Sequence, residues 1–174
     1  MAEKRIEAER ADAQRTAQAR GETPDEVLDR NVSEALQEIR VTITAVQVLF
    51  AFLLTLPFQS RFTDLGTFGT TVYAITMIST ALSTVVLVAP VSFHRMLFRR
   101  RQKAAIVAFA DRSLVGGLTL LLIGIGSAVL LVLDVVLGRG PAIAACAVIG
   151  TLGLVTWYLL PLRLRQRRSA DPDS

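Results

Sequence analysis

The sequence has very few of the residues on which metal binding, disulfide chemistry and acid–base catalysis usually depend. Its 174 residues include one cysteine and one histidine. A single cysteine, Cys146, rules out an intramolecular disulfide and a thiolate metal cluster. A lone histidine, His94, leaves zinc coordination of the usual kinds unsupported. Because the sequence also lacks a nucleophile with a positioned base and a glycine-rich phosphate loop, it predicts a non-enzymatic protein without a cofactor.

Charged residues are almost absent from four long stretches, which contain a single one, Asp134, although charged residues make up 20% of the chain. A helix needs roughly 20 apolar residues to cross a hydrocarbon core about 30 Å thick. A soluble domain built from four such helices would have too few polar residues to cover its surface. The predicted fold class is therefore an all-α membrane protein, a four-transmembrane-helix bundle, with spans at residues 41–58, 68–91, 114–137 and 141–162.

Lysine and arginine lie mainly on one side of the predicted spans. Six of them fall between residues 92 and 113 and four between 163 and 168, whereas the first and third loops have only Arg61 and Arg139. Short loops rich in Lys and Arg stay in the cytoplasm. The sequence thus predicts a multi-pass protein of the cytoplasmic (inner) membrane, with the N and C termini both cytoplasmic.

The same basic residues favour the lipid bilayer, including anionic lipids, as the partner. They lie directly beside apolar runs, so nucleic acid is not expected despite a net charge of +4. Each Lys or Arg close to an anionic surface contributes about 1 kcal/mol. The predicted head-group contacts are Arg95, Arg99, Arg100, Arg101, Lys103, Arg163 and Arg165. A homo-oligomer and another membrane protein both stay open as lateral partners.

The chain before the first span is predicted in two parts. Residues 23–40 form an amphipathic cytoplasmic helix, with Thr23 as N-cap, Pro24 in the first turn and Glu26 completing a capping box. Residues 1–22 have Ile6 as their only large aliphatic residue after the initiator Met, and therefore no face to bury. They are predicted to be a disordered or weakly helical extension. Residues 163–174 are predicted to be a basic and then frayed tail.

Asp134 is the one carboxylate within the predicted spans. It lies about one helical turn from the outer end of the third span. One interpretation makes it an interfacial acid that is hydrated or paired with Arg139 or Arg61. The other makes it a proton- or cation-binding group, because ion-coupled transport needs an ionisable residue in the membrane. The second interpretation is stronger for an oligomer that gathers several copies.

Uncharged polar residues in the first two spans are the remaining candidates. Gln47 and Thr44 lie one turn apart, and we expect them to face another helix, where such hydrogen bonds contribute on the order of 1 kcal/mol. Spacings of three and four residues place a second set on one stripe of the second span: Thr76, Ser79, Thr80 and Ser83. A hydroxyl stripe of this kind either allows helices to pack closely or lines a water-filled path.

Three runs in the chain carry a resemblance to a known family: EIRVTITAVQVLFAFLLTLPFQSRF, PVSFHRMLFRRRQK and LLVLDVV. They resemble a family of small four-span membrane proteins of unknown function that is common in actinobacteria, some of whose members carry the label sodium:proton antiporter. The resemblance covers about residues 34–162. It implies the four-span architecture and an actinobacterial cell membrane, and it assigns no catalytic or binding residue.

Two functions follow from these observations. The first is a non-enzymatic membrane scaffold or accessory subunit that packs laterally against other membrane proteins or against itself. The alternative is a small oligomeric cation or proton transporter, similar to an antiporter, that works around Asp134 and the hydroxyl stripe of the second span.

Overall fold

The computed structural model of the chain describes residues 2–97 and 103–163, which form helices joined by short turns. The side chains of residues 2, 5, 94–97 and 103 lie outside the description. No strand occurs in those two ranges, and the five α-helices are α1 (Ala2–Arg20), α2 (Pro24–Thr55), α3 (Gly66–Leu97), α4 (Lys103–Leu137) and α5 (Arg139–Leu154). Short 3₁₀ segments, Leu56–Phe58 and Ser60–Asp64, connect α2 to α3, and a π-helical turn, Val155–Leu159, follows α5.

Four helical stretches are long and apolar enough to cross a membrane. They are Pro24–Phe58, Gly66–Phe93, Ala104–Leu137 and Arg139–Arg163. Even the shortest has 25 residues, which is about 37 Å of helix against a hydrocarbon core of about 30 Å. Each predicted span lies inside one of these stretches, so the all-α, four-transmembrane-helix fold class is confirmed.

The helix containing the first span begins earlier than the span itself. The sequence pattern predicts residues 23–40 and 41–58 as two segments, whereas α2 runs without a break from Pro24 to Thr55. No glycine or proline lies between Asp25 and Thr55 to interrupt the backbone hydrogen bonds. The amphipathic helix and the first span therefore form one continuous rod.

The N-terminal segment differs from the prediction for residues 1–22. The structure has α1 over most of this length, and one side of it is buried. The cluster that covers this side consists of Ala13, Ala17, Val27, Leu28 and Ala104, with the partly buried Ile6 packed against it. The expectation that the segment has no face to bury is wrong, because two alanines one turn apart let helices approach closely without large side chains.

A short corner joins α1 to α2 through two complementary helix caps. Gly21 adopts a positive φ of 68°, and the Glu22 N–H donates to the Ala17 carbonyl at 3.1 Å. This is the Schellman arrangement that ends a helix, and glycine adopts its left-handed conformation without steric cost. We refer to α1, this corner and the first turns of α2 as the N-terminal hairpin.

The start of α2 confirms the predicted capping box. The Thr23 N–H donates to Glu26 Oε2 at 2.8 Å, the Thr23 hydroxyl donates to the same oxygen at 2.9 Å, and the Glu26 N–H donates to Thr23 Oγ1 at 3.3 Å. Two backbone donors that a helix start would leave unpaired are thus satisfied reciprocally.

The chain divides into two compact units. The first consists of Met1–Thr55 and Thr80–Leu120, and the second of Leu56–Ser79 and Leu121–Ser174. In the first unit, Val32, Ile106 and Val107 form a buried cluster with Leu36 packed against it. Helix α3 and helix α4 contribute one segment to each unit, so the division passes through both.

Glycines allow close helix contacts within each unit. In the first unit, a Cβ placed on Gly117 would lie 2.5 Å from Cγ and Cδ2 of the fully buried Leu87. In the second unit, a Cβ on Gly153 would overlap the Leu122 side chain. A methyl group has no room at either position unless the leucine moves.

We predict that Gly117→Ala destabilises the protein relative to Gly116→Ala. Both substitutions add the same helix-favouring methyl group, but a Cβ at Gly116 would meet Val86 Cγ1 at 3.6 Å, an ordinary contact. Overpacking against Leu87 should lower the free energy of unfolding by about 1–3 kcal/mol more at Gly117 than at Gly116. Thermal unfolding in detergent, followed by circular dichroism, measures the difference; equal stability of the two variants would contradict the contact.

Candidate functional site

Asp134 lies at the end of α4, beside the first residue of α5. Its Oδ1 is 3.6 Å from Nε of Arg139, and the two side chains are 18% and 59% exposed. The Arg139 guanidinium carbon also lies 4.0 Å from the centre of the Phe68 ring. Asp134 is therefore placed with Arg139, one of the two arginines that the interfacial interpretation named.

The turn between α4 and α5 explains why these groups meet. Only Gly138 separates the two helices, with φ 84° and ψ 172°, a conformation that essentially only glycine adopts. The turn places the Arg139 cation at the positive N-terminal end of α5, which is unfavourable by itself. The Asp134 carboxylate and the Phe68 ring offset this repulsion by ion pairing and by a cation–π contact.

The second unit contains an apolar cavity of about 180 Å³ close to this turn. Its lining comes from the connection between α2 and α3 and from the last turns of α4: Leu56, Gln59, Arg61, Phe62, Leu65, Leu131, Val132 and Val135. The cavity accommodates hydrocarbon better than a hydrated cation, because nearly all of its lining atoms are apolar. Asp134 is not among the lining residues.

The hydroxyl stripe of the second span is buried. Thr76, Thr80 and Ser83 have no exposed surface, and Ser79 is 8% exposed. The Thr76 hydroxyl donates to the Val72 carbonyl of the preceding turn at 2.8 Å. The Ser83 hydroxyl donates to the Gly117 carbonyl on α4 at 2.8 Å, which joins two helices of the first unit. These contacts favour the helix-packing interpretation of the stripe.

Gln47 and Thr44 are exposed on α2, and within residues 2–97 and 103–163 neither side chain forms a hydrogen bond with another helix. The Thr44 hydroxyl donates to the Arg40 carbonyl of its own helix at 3.0 Å. Val46 and Leu53, seven residues apart, are the fully buried side chains of this part of α2. These apolar residues decide which side of α2 is buried, and the expectation that Gln47 and Thr44 face another helix stays a prediction.

The basic residues predicted to contact lipid head groups fall almost entirely outside the described side chains. Arg163 is described, and it is exposed at the end of the last apolar stretch. The others are Arg95, Arg99, Arg100, Arg101, Lys103 and Arg165, of whose side chains nothing is described. The lipid contacts therefore stay a prediction.

The N-terminal hairpin is a surface that the sequence did not predict. Arg30 Nη1 forms a half-buried ion pair with Glu22 Oε2 at 2.8 Å, which fixes the corner against α2. A cavity of about 310 Å³ lies between α1, α2 and α4, lined by Arg10, Ala13, Gln14, Pro24, Asp25, Leu28 and Ala104. The available signal was the arrangement of Gly21 immediately before a capping box, which is typical of two helices joined by a tight corner.

The described residues contain no group of three or more His, Cys, Asp or Glu side chains that could hold a metal ion. Residues 24–40 of α2 include charged side chains and precede the predicted span at residues 41–58. Here the Thr23 backbone N–H, and then the Thr23 hydroxyl, lower the pKa of Glu26 below its usual value of 4.5. Both groups stabilise the charged carboxylate by donating hydrogen bonds to it.

Comparison with known proteins gives one match. Residues 21–161 match the model of a family of unknown function (DUF6328). No curated protein and no solved structure matches the chain. The match agrees with the resemblance to a family of unknown function that the sequence motifs suggested.

We predict that Asp134 and Arg139 are energetically coupled. A double-mutant cycle with Asp134→Asn, Arg139→Gln and the combined variant should give a coupling energy of about 0.5–1 kcal/mol in unfolding, since Arg139 is largely exposed and its charge is screened. Chemical unfolding in detergent provides the four free energies. Strictly additive effects would show that the ion pair contributes nothing to stability.

We predict that the titration of Glu26 reports on the capping box. Because its folded pKa lies below the unfolded value, ionisation of Glu26 stabilises the helix start above pH 4.5, and this contribution is lost as the pH falls through the folded pKa. Thr23→Ala should raise the pKa only part of the way to 4.5, since the backbone donor remains. Carboxyl NMR titration measures the shift, with Thr42→Ala on the same helix as the control. A pKa unchanged by Thr23→Ala would contradict the hydroxyl contact.

Proposed function

The chain belongs to the family of unknown function (DUF6328), and we propose that it is a non-enzymatic integral membrane protein that serves as a scaffold or accessory subunit. In this role it packs laterally against other membrane proteins or against copies of itself. The proposal rests on how the polar and apolar groups of the four apolar helices are arranged.

The observation that carries the proposal is that the hydroxyl stripe of α3, Asp134 of α4 and Arg139 of α5 all form contacts within the protein itself. The second-span hydroxyls are buried, and Ser83 bonds a carbonyl of the neighbouring helix. Asp134 is paired with Arg139, and the cavity lined by its neighbour Val135 is apolar. A transport path needs polar groups that are free to exchange partners with an ion, so this arrangement supports packing as the role of the helices.

A second support is the large apolar surface of the single chain. Only 6–28% of the most apolar window of each candidate span is buried. Side chains such as Val48, Val136, Val148 and Leu160 are each more than half exposed. Lipid covers part of this surface in a bilayer, and the rest is available for lateral contacts with other helices.

The topology that goes with this function follows from the distribution of basic residues. We propose that the chain lies in the cytoplasmic membrane of an actinobacterium, with both termini and the loop between α3 and α4 in the cytoplasm. The N-terminal hairpin then lies on the cytoplasmic side of the membrane. It offers a structured surface where soluble partners dock.

We predict that the protein carries no ion flux that depends on Asp134. The reconstituted full chain should not dissipate a proton or sodium gradient faster than empty liposomes do, because Asp134 is held by Arg139. Asp134→Asn should behave in the same way, and it should co-purify from mild detergent with the same membrane proteins and the same number of its own copies as the natural chain.

The alternative function, a small oligomeric cation or proton transporter, predicts the opposite result. Flux that is present in the natural chain and lost in Asp134→Asn would overturn the scaffold proposal. A chain that shows no flux and stays a lone monomer when solubilised under mild conditions would overturn both functions.

A further inference from the structure

The apolar part of α2 exposes a row of residues with the spacing of a helix–helix interface. Thr44, Gln47, Ala51 and Leu54 follow each other at intervals of three, four and three residues, and all four are exposed. We call this row the α2 seam. Side chains repeating every 3.5 residues lie on one face of a helix, which can pack along a second helix in a left-handed pair.

Gln47 gives the α2 seam its polar group. Six residues from Val41, it lies about 9 Å inside the apolar stretch of α2, beyond the reach of a short side chain to the head groups. It is the sole carboxamide within the four predicted spans. Among residues 2–97 and 103–163, no side chain or backbone group forms a hydrogen bond with this amide, whereas the neighbouring Thr44 hydroxyl is satisfied by its own helix.

An unsatisfied carboxamide in hydrocarbon is strongly unfavourable, because lipid tails offer no hydrogen-bond partner. A carboxamide both donates and accepts. The same group on a second chain, related by a two-fold axis along the membrane normal, therefore complements it completely. Thr44 and Ala51, which flank Gln47 on the seam, are small enough to let two backbones approach.

We propose that the chain forms a parallel homodimer in the membrane through the α2 seam, with the two Gln47 amides hydrogen-bonded across the two-fold axis. Both copies have the same orientation in the bilayer, so a two-fold axis along the membrane normal makes the contact between identical faces. The inference rests on the proposed function of lateral packing. It specifies that the partner is a second copy of the chain and that the contact surface is the α2 seam.

Cysteine cross-linking in native membranes tests which face is used. In a Cys146→Ser background, Ala51→Cys on the seam should form a disulfide-linked dimer under mild oxidation. Ala45→Cys is the matched control, because it is also an exposed alanine of α2 but lies about 200° around the helix from Gln47. Equal cross-linking at both positions, or cross-linking at Ala45 alone, would overturn the assignment of the seam.

The contribution of the amide is measured by energy transfer between labelled chains in liposomes of decreasing protein density. Gln47→Leu should weaken the dimer roughly 3- to 30-fold, the loss expected for one interhelical hydrogen-bonding group. Gln47→Asn keeps the amide and should retain part of the affinity. Phe52→Leu, at an exposed position about 140° around the helix from Gln47, should leave the affinity unchanged. A Gln47→Leu dimer as tight as that of the natural chain would show that the amide is not the contact.

The outcomes separate this inference from the proposed function. A chain that is monomeric in liposomes but purifies stoichiometrically with a different membrane protein keeps the scaffold function and loses the homodimer. A chain that dimerises through the seam and also shows flux dependent on Asp134 keeps the homodimer and loses the scaffold function.

Discussion

The hydrocarbon core of a bilayer contains no group that can hydrogen-bond a protein, and the arrangement of polar atoms in this chain follows from that constraint. Threonine hydroxyls on α2 and α3 return their protons to carbonyls one turn back. Ser83 donates to a carbonyl on α4 instead. The backbone of each apolar helix is likewise satisfied internally. These hydroxyl groups are tolerated because each has an acceptor within reach. Gln47 stands out because, in the described part of the chain, its amide forms no hydrogen bond.

A similar requirement applies at the ends of the helices, where the first N–H groups and the last carbonyls have no hydrogen-bond partner within the helix. At the α1–α2 corner, the residues from Gly21 to Glu26 satisfy a last carbonyl of one helix and the first amides of the next. At the α4–α5 turn, the positive φ of Gly138 allows α5 to begin at the next residue. These two corners use glycine for the same reason, a backbone conformation that other residues rarely adopt.

The sequence predicted the four apolar helices well, because continuous apolar stretches of this length have one common explanation. It also predicted the capping box, since Thr23, Pro24 and Glu26 form a local pattern whose hydrogen bonds depend only on residues three apart. It failed for α1. The packing of Ala13 and Ala17 depends on Val27, Leu28 and Ala104, and Ala104 in particular is far away in sequence and carries no signal of its own.

The candidate site was predictable in part for the same reason. Asp134 and Arg139 are five residues apart, so their pairing followed from local spacing and one tight turn. The orientation of Gln47 was not predictable, since it depends on which side of α2 is covered by the rest of the first unit. Val46 and Leu53 decide this orientation, and neither differs in type from the exposed Val48 and Leu54. Apolar residues on all sides of a helix carry no periodic signal for its buried face.

The unbroken course of α2 has a mechanical consequence. A helix of 32 residues is a stiff rod of about 48 Å, and without proline or glycine in its interior it has no hinge. A torque applied to the N-terminal hairpin therefore turns the whole rod, including the part within the bilayer. A cytoplasmic protein that binds α1 and turns it would rotate Gln47 about the axis of α2. The helix would in this way transmit a rotation from the aqueous surface to the membrane interior.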